Sequence, residues 1–181
     1  SVAASASKGI ILLGGPSRHF AWQPEKLIEQ IDRILKRDKD ISWTIANSRR
    51  TPEIFSQLVE TRLKRKIVYW SDVDNDWLEN ELAQCGFTWV TPDSISMVYE
   101  ALTTQGRVGI FDMNPLGGGG KVSSSIDRLV KAGRLGRSSM GSLLQQLETF
   151  EPLQESHRCA QHIIDTWFKK SKSGYVNRTT A

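Results

Sequence analysis

No run of about 18 apolar residues occurs in the chain, so no segment of it reads as a membrane-spanning helix. Cysteine is scarce. Cys85 and Cys159 stand far apart in the sequence without a partner pattern, which suits two free thiols in a reducing cytoplasm. The first residues, "SVAASASKG", are small and polar and lack the apolar stretch of a secretory signal. The chain starts at Ser1 without a Met, as a piece of something longer would.

Several site signatures are missing as well. There is no G-x-G-x-x-G, so the dinucleotide fingerprint is absent. The glycine run before Lys121 fails as a P-loop, because Pro115 stands where Gly is required and Val122 where Ser or Thr must follow. "DVDND" fails as a calcium loop, with Trp77 at the glycine position and Ala83 at the terminal Glu. His157, Cys159 and His162 contain no i, i+4 pair of the kind that holds zinc on a helix. Spacing nominates no Ser–His–Asp set and no paired carboxylates, and no cofactor is expected.

What is present is enough for one core. The chain has 181 residues, 39% of them hydrophobic, and one domain is expected. The net charge of +4 is spread over separate clusters, Arg62 to Lys66, Arg134 to Arg137 and Lys169 to Lys172. A nucleic-acid footprint would be denser and interleaved with aromatics. Attraction for smaller anionic partners, such as phosphates, or for a membrane surface as a peripheral contact, fits better.

Short apolar runs alternate with helical patterns. "GIILLGG" (9–15), "ISWTIAN" (41–47), "KIVYW" (66–70), "FTWVT" (87–91) and "RVGIFDM" (107–113) read as strands. Between them, a helix over 24–37 opens on Pro24, and another follows Thr51 as cap with Pro52 at its first position. A third, over 76–86, opens on a capping-box pair, Asp76 and Glu79, and stops at Gly86. The fourth is "TPDSISMVYEAL". Residues 121–133 and about 152–170 read as further helices, 1–8 as a disordered lead and 171–181 as a frayed tail. Strand–helix alternation at this spacing predicts an α/β, Rossmann-like three-layer sandwich over 9–170, with a parallel sheet of about five to six strands.

In such a sheet the polar loops line up at the carboxyl ends of the strands, where ligands bind. "GGPSRHFAW" (14–22) offers Gly14 and Gly15, which let a ligand approach the backbone, then Ser17, Arg18 and His19. "NSRRTP" (47–52) sets Ser48, Arg49 and Arg50 before a helix N-terminus, which suits an anion. In "TPDS", Asp93 reads as the helix N-cap. Ser94 and Ser96 fall on the first turn, where amides and the helix dipole favour a diphosphate. Glu100 comes two turns after Asp93 on the same face and can accept from a ribose diol. Each feature alone also fits a plain turn, a surface ion pair or a helix cap.

Together "LLGGPSRHFAW", "NSRRTP" and "VTPDSISMVYEAL", in this order and spacing, resemble the mitochondrial-fission ELM family and its bacterial relatives over roughly residues 10 to 112. That family is similar to type-B glycosyltransferases, two Rossmann-like domains facing across a cleft, akin to lipid A disaccharide synthase and the peptidoglycan N-acetylglucosaminyl transferases. The resemblance implies that this chain is the C-terminal, nucleotide-diphosphate-sugar-binding half, with catalysis requiring an absent N-terminal domain. It assigns Gly14, Gly15 and Ser17 to the first donor loop and Ser48, Arg49 and Arg50 to the second. Ser94 and Ser96 would hold the diphosphate and Glu100 the ribose. After the fifth strand the pattern departs: "GGGGKVSSSIDRLVKAGRLGRSS" keeps a basic helix without the relatives' aromatics. The same family also implies an alternative, a non-catalytic adaptor that recruits a partner protein at a membrane surface.

Overall fold

The computed structural model describes residues 4–117 and 120–147. The helix predicted over about 152–170, the tail and the His157, Cys159, His162 triplet lie outside the described residues. Among the described residues six strands form one sheet, β1 (Ser5–Leu12), β2 (Ser42–Ala46), β3 (Ile67–Val68), β4 (Cys85–Val90), β5 (Arg107–Ile110) and β6 (Gly136–Arg137). Their order across it is β3-β2-β1-β4-β5-β6, and every pairing is parallel. The helices are α1 (Pro24–Arg37), α2 (Glu53–Leu63), α3 (Trp77–Gln84), α4 (Ile95–Leu102), α5 (Lys121–Lys131) and α6 (Leu143–Gln146). None of the described helices is long and apolar enough to cross a membrane.

The run "IILL" is buried because both faces of β1 are covered. Ile11 and Leu13 join one core cluster with α1, α2 and α6, while Ile10 and Leu12 join a second with α3, α4 and α5. Alternating residues of a strand point to opposite faces, so a continuous apolar run marks a strand packed on both sides. α1 presents Leu27, Ile28, Ile31, Ile34 and Leu35 to the first cluster, all buried. Its Pro24 start and its basic last turn, Lys36 and Arg37, agree with the helix polarity.

The chain builds β1 to β3 outward in one direction, then returns through α3 on the other face to set β4 beside β1. At that reversal the loops after β1 and β4 diverge to opposite faces and leave a crevice at the carboxyl edge.

Several boundaries differ from the sequence reading. β1 begins at Ser5, so residues 5–8 of the expected lead are strand, held by backbone pairing such as Lys8 with Ser42 rather than by an apolar pattern. α3 stops at Gln84, and Gly86 lies inside β4. A Cβ on Gly86 would meet the Ser5 carbonyl oxygen at 2.5 Å, so the glycine permits close strand approach instead of ending a helix. Asp76 makes no side-chain cap bond, and the predicted capping box with Glu79 is not formed. β5 ends at Ile110, before Asp112 turns to other partners. β6, only two residues long, has no apolar run that sequence could flag, and forms because Gly136 and Arg137 pair with Gly109 and Ile110.

Candidate functional site

Three loops converge at the reversal point, and a buried carboxylate ties them together. The side chain of Asp93, in the β4–α4 loop, is fully buried. Its Oδ2 accepts from the Gly15 amide at 2.9 Å and from the Arg50 guanidinium at 2.7 Å. Next to it, the Gly14 amide donates to Thr91 Oγ1 at 2.7 Å. Burial pushes the Asp93 carboxyl up from its ordinary range, against the opposing pull of the Gly15 amide and Arg50.

Thr51 forms a second tie. Its hydroxyl accepts from the Ser48 amide at 2.9 Å and faces the carbonyls of Leu13 at 2.8 Å and Gly14 at 2.6 Å. Thr51 is therefore not the cap of α2. Pro52 occupies that position, without a side-chain cap bond. The hydroxyl that the sequence suggested would cap a helix binds the β1–α1 loop to the β2–α2 loop.

The two glycines admit the chain itself. A Cβ on Gly14 would meet Asp93 Oδ2 at 2.2 Å, and one on Gly15 would meet the Arg50 carbonyl oxygen at 1.9 Å. Both amides are engaged internally, so these positions shape the loop floor rather than offer it. Ser17 Oγ accepts from the His19 amide at 3.1 Å, holding the next turn, and Arg18 is exposed beside His19. Beyond, the Leu116 amide donates to the His19 carbonyl and the Ala21 amide to the Asn114 carbonyl, which lays the loop after β5 alongside the first loop.

Asp93 is not the N-cap of α4 either. That position belongs to Ser94, which makes no side-chain cap bond. The first-turn amides of a helix have no partner within it, and a negative group is favoured there. Because Asp93 turns away toward Gly15 and Arg50, the turn is left uncapped. Ser94 and Ser96 stand beside it with their hydroxyls 3.4 Å apart. Glu100 follows Ser96 by one turn on the same face. Burial, then the charge of Glu79 on α3, pushes its carboxyl up. Asp93 and Glu100 do not share a helix face, since Asp93 precedes the helix and its side chain is withdrawn.

Sequence reasoning missed the aromatic side of the site. A cavity of about 240 Å³ opens at the carboxyl ends of β1, β2 and β3. Its walls include Trp70, Trp77 and Met97, with Ser48, Arg49 and Asp74 among its polar residues. The Arg49 guanidinium lies over the Trp70 ring, 5.0 Å from its centroid, and Trp70 is 45% exposed. Asn47 fixes that turn: its Oδ1 accepts from the Trp70 amide at 2.8 Å, and its Nδ2 donates to Ser56 Oγ at 3.2 Å. "KIVYW" reads as a longer strand by pattern alone, and only its end, a tight turn over Trp70–Asp72, turns the indole into a wall. Among the described residues, no three His, Cys, Asp or Glu side chains gather as a metal-binding group.

A second polar cluster locks β5 to α1 and β6. Asp112 Oδ2 accepts from Ser138 Oγ and from the Ser139 amide, both at 2.8 Å, and Oδ1 accepts from Arg137 at 3.2 Å. Gln30 of α1 accepts from the Asp112 amide at 2.8 Å and donates to its carbonyl at 3.0 Å. Burial works to raise the Asp112 carboxyl, but hydrogen bonds from Ser139, Ser138 and Arg137 outweigh it and hold the group below its usual range.

Residues 2–167 match the family model described as Mitochondrial fission ELM1, well past the stretch that carries the motifs. No curated protein matches the chain. The chain belongs to the mitochondrial fission ELM1 family.

Proposed function

We propose that this member of the family binds a nucleotide-diphosphate sugar, as the donor half of a glycosyltransferase-like protein whose catalysis requires an N-terminal domain. One observation carries the reading: the first turn of α4, uncapped and flanked by two hydroxyls, lends Met97 to the wall of an aromatic-lined cavity. The first-turn amides of α4, with Ser94 and Ser96, suit a diphosphate. Ser48 and the cations of Arg49 and Arg50 lie on the facing loop, and Trp70 and Trp77 suit a flat base. Met97 lines the cavity, and Glu100, one turn later on α4, would accept from a ribose diol. Gly14 and Gly15 serve as the floor, with Ser17 and Arg18 at its outer end. No metal is required, because helix amides and arginines can stabilise a departing diphosphate. The chain by itself is expected to bind and not to turn over, in the cytoplasm or at the face of a membrane.

A second reading is a non-catalytic adaptor that recruits a partner protein at a membrane surface. Ile54, Leu116 and Met140 favour it, because they are exposed at 76%, 44% and 61% in loops or first turns on the carboxyl edge. A covering partner would bury them. Under the first reading that cover is the N-terminal domain.

The test is a titration of the chain with UDP, GDP, ADP, CMP and UDP-N-acetylglucosamine, followed by chemical shifts and thermal stability. A diphosphate nucleotide should raise the melting temperature, and Arg49→Ala, Trp70→Ala or Glu100→Ala should each weaken binding about tenfold or more without unfolding the chain. Failure of every nucleotide to bind both this chain and a version carrying its N-terminal domain rejects donor binding and leaves the adaptor.

A further inference from the structure

The polar groups lining the aromatic cavity are unequally engaged. Asn47 uses both ends of its side-chain amide, on the Trp70 amide and on Ser56. Ser48 directs its amide and its hydroxyl to Thr51 Oγ1, at 2.9 and 3.2 Å. Arg49 is a pure donor, stacked on Trp70. Asp74 differs from all three. Its carbonyl accepts from the Trp77 amide at 3.3 Å, but no side chain among the described residues bonds its carboxylate. Among the described residues, Asp74 thus supplies the cavity's one side-chain acceptor without a side-chain or backbone partner, and it is a charged one with two oxygens.

We propose that Asp74 reads the base and selects guanine, an inference that rests on the nucleotide reading above. A carboxylate only accepts hydrogen bonds. The base edge it suits must present donors side by side, and guanine does so through N1–H and the N2 amino group. Uracil presents a single N3–H between two carbonyl oxygens, both of which a carboxylate repels. Adenine and cytosine offer one exocyclic amine beside a ring acceptor. A bidentate, charge-assisted pair forms with guanine alone, and rejection of uracil comes from the same two oxygens. The aromatic walls hold any base by its face; Asp74 acts on its edge.

Inosine diphosphate isolates the contact, since it is guanosine diphosphate without the N2 amino group. Titration calorimetry of the chain with GDP, IDP, UDP and ADP should find GDP tightest, about ten- to hundredfold tighter than IDP. In Asp74→Ala the gap between GDP and IDP should close, while UDP binds as well as before or better. Asp74 is exposed, so the variant should keep its far-ultraviolet circular dichroism and melting temperature, which confirms that only recognition changed. Nucleotide binding with UDP as tight as GDP, or with IDP equal to GDP, overturns guanine selection and leaves the nucleotide site standing. Binding of no nucleotide, by this chain or by a version carrying its N-terminal domain, overturns both together.

Discussion

Asp93 Oδ2 receives the Gly15 amide at 2.9 Å and the Arg50 guanidinium at 2.7 Å, so a single carboxylate oxygen fastens three loops of the carboxyl edge to one another. The contact explains why glycine stands at 14, why α4 starts uncapped and why Arg50 is held in place. Its consequences can be measured.

Gly14→Ala would put a methyl group 2.2 Å from Asp93 Oδ2. The carboxylate cannot retreat without leaving Gly15 and Arg50. Urea unfolding should find a loss of about 1–3 kcal/mol. Adding Asp93→Ser removes the clashing oxygens, so the double variant should lose clearly less than the sum of the two single losses. Simple additivity would mean that the two residues are not in contact.

Thr51→Val keeps the shape and removes the hydroxyl that faces Leu13, Gly14 and Ser48. The site is buried, so partners left unpaired should cost about 1–3 kcal/mol. Thr51→Ser should retain most of the stability. Equal behaviour of Val and Ser in thermal melts would remove the hydroxyl from the account.

Ser96→Asp separates stability from binding. A negative charge in the first turn of α4 opposes the helix dipole favourably and should raise stability by roughly 0.3–1 kcal/mol. The same charge stands where the diphosphate would sit and should weaken nucleotide binding at least tenfold. Higher melting temperature with unchanged nucleotide affinity would move the diphosphate away from α4.

Asp112 should make stability depend on acidity in a defined direction. Its folded carboxyl titrates below its ordinary range, so its contribution is present above that range and fades as pH falls through the folded value. Asp112→Asn should cost about 1 kcal/mol near neutral pH, a figure reduced for its partly exposed setting. The gap between the two proteins should narrow as pH is lowered past about 4. A gap that stays constant down to low pH would leave the charge without a role. Denaturant titrations at several pH values decide it.

Much of this molecule was legible in the chain. Doubly buried strands such as "IILL" need apolar residues in succession, and α1 needs its apolar stripe. Both patterns act locally and at fixed period, so sequence determined the alternation, the α/β class and the boundaries of α1. The order of the loops "LLGGPSRHFAW", "NSRRTP" and "VTPDSISMVYEAL" likewise marked the edge where a site could form, and their family match extends over 2–167.

Tertiary structure decided what the loop residues do. Thr51 and Asp93 carry the side chains of helix caps, and sequence alone assigns them that role. Partners 38 and 78 residues distant, Leu13 and Gly15, claim those side chains instead. The short strand β6 and the Trp70 wall escape pattern reading for the same reason. Local preference among capping geometries amounts to about 1 kcal/mol, and a buried hydrogen bond to a distant loop is enough to outweigh it.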